Sequence, residues 1–254
     1  MQIAPRVYAL GHRTGRSAYL SAYSRAYLLD EGTGLTLIDT LADKDAHLVL
    51  EQLKKLNRPV TDLKRILLTH AHRSHLMGLA HLKKLSGATV YSHEWEAEII
   101  EGNRKARPVS LRPVRPLLVY PFRLGLGLGA EHPPCRVDDR SLKDGDKVGP
   151  IRVIHTPGHT PGHLVYFWPE QQALFTGDDI VTWPRFGASW PGFQLDKKQF
   201  RDSLRYMAES ARRMAGHNPP VAVIGVAHGD PITRGATDRL HSLVEAVTTG
   251  EAVV

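Results

Sequence analysis

The sequence predicts an α/β protein of four layers, with sheets inside and helices outside. Three observations lead there. Strand clusters and amphipathic helices recur in both halves of the chain. Turn signals separate them. The residues of strongest chemical character each follow a strand or a tight turn, which is where an α/β sheet presents its chemistry.

The elements follow in order. Residues 24–29 and 35–39 read as paired strands, with Asp30-Glu31-Gly32-Thr33-Gly34 as their turn. Residues 43–56 read as a helix, because Leu50, Leu53 and Leu56 recur at helical spacing among charged residues. A short buried strand at 65–69 leads to a second helix at 76–85, closed by Gly87. A strand at 88–92 and a helix at 94–101 complete the first half. Residues 102–130 break this rhythm. They hold Pro108, Pro113, Pro116 and Pro121, six basic residues and LGLGLG. This is a basic Pro/Gly-rich insertion, either a loop covering core or a lid over a pocket. The second half has strands at 151–154, 164–168 and 173–175, a long amphipathic helix at 197–214, a strand at 221–225 and a final helix at 236–248. Residues 1–254 are expected to form one domain around this insertion.

The chain has 254 residues, 42% hydrophobic and 23% charged, which excludes a disordered or fibrous chain. It has no apolar run of membrane-spanning length. The start lacks the long apolar core of an export signal. A lone cysteine, Cys135, forms no internal disulfide, and together these features predict a reducing cytoplasm. The net charge of +7 favours anionic partners in general and says nothing about fold. More telling are the 14 histidines, since histidine is the commonest metal ligand.

Their placement is not uniform. Thr69-His70-Ala71-His72-Arg73-Ser74-His75 puts three histidines directly after an apolar strand and before a helix. His70 and His72 are two apart, so an extended backbone directs both rings the same way, while His75 approaches from another side. His155-Thr156-Pro157-Gly158-His159-Thr160-Pro161-Gly162-His163 fixes His159 between two Pro-Gly turns. Phe175-Thr176-Gly177-Asp178 ends a strand in a carboxylate, and Gly225-Val226-Ala227-His228 ends one in a histidine.

This series resembles the metallo-β-lactamase superfamily, whose pattern is His-x-His-x-Asp-His, then a His in a turn, an Asp and a final His. The resemblance runs from the first hairpin to His228 and is closest in TPGHTPGH and FTGD. It implies an αββα sandwich with a metal site at the edge of the two sheets. Carried over residue by residue, it assigns one metal to His70, His72 and His159, and a second to His75, Asp178 and His228, with Asp178 bridging. Zinc is the expected metal, with iron or manganese as alternatives. The implied activity is hydrolysis of an ester, thioester, lactone or related acyl bond by metal-activated water. The expected substrate is a small molecule, anionic or bearing an apolar acyl group. Glyoxalase II-like members share the TPGHTPGH region but add a C-terminal helical domain, for which the stretch after His228 is too short. A non-catalytic metal-binding or ligand-binding member is the alternative, and the basic insertion leaves a nucleic-acid-acting member as a third.

Where the family has Asp, this chain has Ser74. A serine hydroxyl is a poor ligand and no general base at pH 7. The second metal is therefore expected to bind more weakly than the first, with Ser74 serving as an N-cap of the following helix. Asp178, or a water held by Ser74, is the candidate for proton handling. Asp39, at the end of LTLID, is expected to orient a metal histidine. His47, His81, His93 and His241 are expected on solvated helix faces. His12, His132 and His217 fall in loops. His155 and His163 are expected to support His159 rather than to bind metal, and Asp179 to lie at the surface or behind a ligand. Trp183, Trp190 and Phe193 are read as pocket wall or as core.

Overall fold

The computed structural model describes residues 1–11, 24–106, 131–190, 192–216 and 220–250. Two sheets face one another. The first is six-stranded, in the order β1 (Gln2–Ala4), β2 (Val7–Leu10), β3 (Ala26–Asp30), β4 (Leu35–Ile38), β5 (Leu63–Leu67), β6 (Thr89–Tyr91). Its first four strands are antiparallel; β4, β5 and β6 run parallel. Parallel pairs need crossovers. These are supplied by α1 (His47–Lys55) and by α2 (Arg73–Leu76) with α3 (Leu79–Ser86), after which α4 (Glu94–Ile100) follows β6. The second sheet holds β7 (Lys147–Val148), β8 (Ile151–His155), β9 (Leu164–Trp168), β10 (Ala173–Phe175) and β11 (Val223–Gly225), in the order β11-β10-β9-β8-β7. Helices α5 (Lys197–Ala215) and α6 (Ala236–Thr249) cover it.

Side-chain alternation along the strands builds the four layers. Tyr27, Leu29, Ile38 and Leu67 of the first sheet meet Val153, Leu164, Tyr166 and Phe175 of the second in the central core. Ala26, Leu28 and Leu37, on the opposite face, pack on Val49, Leu53, Leu79, Leu82 and Ile100 of the helices. Val165 and Phe167 turn the other way to meet Phe200, Leu204, Met207 and Leu243 of α5 and α6. Both faces of each sheet are thus buried, which yields the expected αββα sandwich.

Several predicted boundaries shift. β1 and β2 were not expected from the sequence, and β7 was not either. The helix expected at 43–56 starts at His47, because the Asp43 carboxylate accepts the Asp45 and His47 N–H groups in a preceding turn. The helix expected at 76–85 begins three residues earlier and breaks at Met77-Gly78. There the chain runs against strand-end backbone: a Cβ at Gly78 would lie 2.8 Å from the Thr40 carbonyl oxygen. Of the expected insertion, residues 107–130 lie outside the described residues.

Candidate metal centre

Four loops meet at one edge of the sandwich: the loop after β5, the β8–β9 turn, the loop after β10 and the loop after β11. They bring together all six predicted ligands. His70, His72, His159 and Asp178 form one group, and His75, Asp178 and His228 another; all are buried. The inter-ligand distances test whether a metal fits. Donor atoms about a tetrahedral ion with bonds of 2.0–2.1 Å stand about 3.3 Å apart. His72 Nδ1 and His159 Nε2 are 3.2 Å apart, and Asp178 Oδ2 lies 3.3 Å from His159 Nε2 and 3.7 Å from His70 Nε2. Asp178 Oδ1 lies 3.3 Å from His75 Nε2 and 3.2 Å from His228 Nε2. The carboxylate therefore presents one oxygen to the histidine triad and the other to the histidine pair. His70 Nε2, His75 Nε2 and Asp178 Oδ1 are buried without a hydrogen-bond partner among the described residues. Buried polar atoms are ordinarily satisfied, and converging acceptors of this kind fit a divalent cation.

The ring tautomers are set from behind. Asp39, at the end of β4, accepts His75 Nδ1–H at 2.8 Å, the Thr69 backbone N–H at 2.9 Å and the Thr69 hydroxyl at 2.8 Å. The Thr69 Oγ1 in turn takes His70 Nδ1–H at 3.1 Å. One carboxylate thus engages Nδ1 of His75 directly and Nδ1 of His70 through Thr69, which turns Nε2 of both rings inward as the atom a cation would meet. Thr40 donates to the His75 carbonyl from the same strand end. The Asp178 backbone N–H donates to His163 Nε2, and Thr156 Oγ1 lies 2.9 Å from His163 Nδ1, so His163 supports Asp178 from behind. His155 Nε2 meets the Pro161 carbonyl at 2.9 Å and supports the turn that carries His159.

Electrostatics match the geometry. Burial and neighbouring imidazoles hold His70 and His72 well below the ordinary histidine range, so both are neutral. Burial raises the Asp178 carboxyl, but the surrounding histidines outweigh it and keep it ionised. Burial also opposes charge on His75, yet Asp39 and Asp178 on either side push it up to about 10.

Backbone geometry fixes His159. Gly158 has φ +135°, and a Cβ there would overlap the Phe200 backbone at the start of α5. Neither backbone can yield, so Gly158→Ala is expected to cost roughly 3 kcal/mol or more, read as a lowered denaturant midpoint, with His159 displaced.

Some expectations need correction. Ser74 is not an N-cap: His72 holds that position, Ser74 is the second residue of α2, and its half-buried hydroxyl has no hydrogen bond among the described residues. Its neighbour Arg73 is exposed, with its Nε on Met77 Sδ. His93 does not lie on a solvated face: it caps α4, its Nδ1 accepting the Trp95 N–H. Of the two places expected for Asp179, the surface is excluded: it is wholly buried, 3.4 Å from His163 Nδ1, behind the site. Trp190 is stacked on His228, with ring centroids 4.2 Å apart, and packs with Trp183 and Phe193, so these aromatics back a site residue. Cys135 is buried, and burial raises its thiol pKa, which argues against a nucleophile. His12, His217 and residues 107–130 lie outside the described residues.

Three supports were missed in the sequence. The Tyr27 hydroxyl donates to the Val226 carbonyl and the Tyr166 hydroxyl to the Leu68 carbonyl, each tying a central strand to a ligand loop. Glu96 is wholly buried, and burial pushes its carboxyl up to about 7 despite three donors. Its only signal is an acidic residue among the apolar positions Ala97, Ile99 and Ile100 of α4.

Residues 22–217 match the family described as the metallo-beta-lactamase superfamily. The chain belongs to that superfamily. Among its similar relatives is the uncharacterized protein YobT of Bacillus subtilis, 29% identical over 153 residues, 60% of each chain. The probable metallo-hydrolase YflN of the same organism is 27% identical over 81% of this chain and 79% of its own. A hydroxyacylglutathione hydrolase of Pseudomonas aeruginosa is 32% identical over 46% of this chain, and the match spans 33% of that enzyme. A solved metallo-beta-lactamase family protein from Thermus thermophilus, TTHA1429, superposes with a TM-score of 0.62 at 23% identity. The match covers 98% of this chain and 81% of that one. Among the described residues no helix of this superfamily member is long and apolar enough to cross a membrane.

Proposed function

We propose that this chain is a single-domain metal-dependent hydrolase that cleaves an ester, thioester, lactone or related acyl bond of a small molecule. The observation that carries this is Asp178, whose two oxygens face His70, His72 and His159 on one side and His75 and His228 on the other. The first set would hold one cation and the second set another, zinc being best suited to imidazole donors. A cation bound there would supply Lewis acidity and lower the pKa of a coordinated water toward about 7. The protein's own residues do the rest. Asp39 and Thr69 hold the His75 and His70 rings with Nε2 inward, burial of all six side chains excludes bulk water, and the ionised Asp178 balances the charge of a bound cation rather than taking the proton that the sequence reading gave it. Ser74, with its hydroxyl unengaged, can hold a water but cannot take its proton at neutral pH. The similarity to a hydroxyacylglutathione hydrolase supports the acyl-bond class.

Ser74 leaves the second set with three protein donors, so one tightly held equivalent and a weaker second one are expected. Metal analysis after mild chelation checks this; two equally resistant equivalents would refute it. Ser74→Asp is expected to tighten the second equivalent about tenfold or more, as an added carboxylate ligand should. A panel of nitrophenyl esters, thioesters and lactones with added Zn²⁺ or Mn²⁺ tests the activity. Firm metal binding without turnover of any member would assign the chain to the non-catalytic binders.

A further inference from the structure

We infer that Glu96 is a positioning residue that sets the separation of the two histidine loops, and through it the affinity of the first metal set. The inference rests on the proposal that His70, His72 and His159 hold a cation with Asp178. His70 and His72 stand on the loop leaving β5 of the first sheet, whereas His159 stands on the β8–β9 turn of the second. A side chain that grips both loops fixes the distance between them. Glu96 does so with separate oxygens. Oε2 accepts the N–H of Ala71, the residue between His70 and His72, at 2.9 Å. Oε1 accepts the hydroxyl of Thr160 at 2.5 Å and the N–H of Gly162 at 3.1 Å, immediately after His159. The 3.2 Å approach of His72 Nδ1 to His159 Nε2 spans this same pair of loops.

The anchor itself is rigid. Ala97, Ile99 and Ile100 of α4 are packed in the core under the first sheet, and Glu96 is 1% exposed. A buried carboxylate is costly to keep unless donors satisfy it. Here donors from both loops do so. Contacts behind metal ligands typically change affinity about 10–100-fold when removed.

The division of labour between the two oxygens makes the claim testable. A glutamine offers one carbonyl oxygen and one NH₂ group, so Glu96→Gln can accept from one loop only and sets N–H against N–H at the other. We expect Glu96→Gln to weaken the tight Zn²⁺ equivalent about 10–100-fold in chelator competition, and to alter the visible spectrum of the Co²⁺-loaded protein. Thr160→Val, which removes one donor, should weaken Zn²⁺ binding in the same direction, while Thr160→Ser should retain it. Leu82→Ala, in the core beneath the first sheet and away from both loops, should lower the melting temperature yet keep Zn²⁺ affinity within about twofold. If Glu96→Gln does not fold, the Thr160 pair decides. The inference is overturned if Glu96→Gln and Thr160→Val bind Zn²⁺ like the wild type, or if Leu82→Ala loses as much affinity as they do. A wild-type protein that binds no Zn²⁺ would overturn the metal reading as well, which separates the two failures.

Discussion

Asp178→Asn is expected to remove both metal equivalents and to lower hydrolysis by about 10³–10⁴-fold, or roughly 4–5.5 kcal/mol of barrier. No other side chain among the six ligands faces both sets of donors. Asparagine keeps the shape but loses the charge that balances two cations, and its NH₂ group turns a donor toward either His70 and His159 or His75 and His228. His159→Ala, by contrast, should abolish only the tight equivalent, because His159 lies in the first set alone. Metal content by elemental analysis, with circular dichroism as a check on folding, separates these outcomes. An Asp178→Asn protein that still retains two equivalents would refute the bridging role.

The second large effect is on pH. With Asp39 and Asp178 pushing it up to about 10, His75 carries a proton at neutral pH that a cation must displace from Nε2. Affinity at the second set should therefore rise about tenfold per pH unit between about pH 6 and 9. His70 and His72 are already neutral there, so the first set should change little. The metal-free protein should respond in the opposite sense. A histidine raised from 6.5 to about 10 adds stability that is complete below 6.5 and is lost as pH rises through about 10. Chelator-treated protein should thus melt at progressively lower temperature from about pH 7 to 10, while metal-loaded protein does not. Isothermal titration with Zn²⁺ at several pH values, together with melting curves of both forms, checks the signs. Equal pH slopes for the two equivalents would count against this account.

The fold was legible where hydrophobic pattern and chain punctuation coincide. Helix α5 lay within one residue of its expected end, since its apolar stripe is long and Asp196 caps it through the Gln199 N–H. The short N-terminal strands β1 and β2 were not, because three or four residues carry too little periodicity to declare themselves. At the candidate metal centre the converging residues were legible because each has a donor chemistry that stands out after a strand end or a turn. Ser74 could be read as a departure, but its N-cap role could not survive, because α2 begins at Arg73 with His72 in the cap position. Glu96 was illegible for the opposite reason. An acidic residue on a helix is ordinarily solvated, and only the approach of two remote loops turns it into an anchor.

The residue types alone thus determined which side chains can bind a cation and that sheets and helices alternate, because both follow from local chemistry and short-range periodicity. Tertiary structure decided that one carboxylate, Asp178, faces two sets of donors, that Asp39 sets the tautomer of two imidazoles, and that Glu96 links the loops of two sheets. Those are relations among atoms far apart in the chain. Packing the two sheets against one another brings them within hydrogen-bonding distance, and no local pattern encodes that distance.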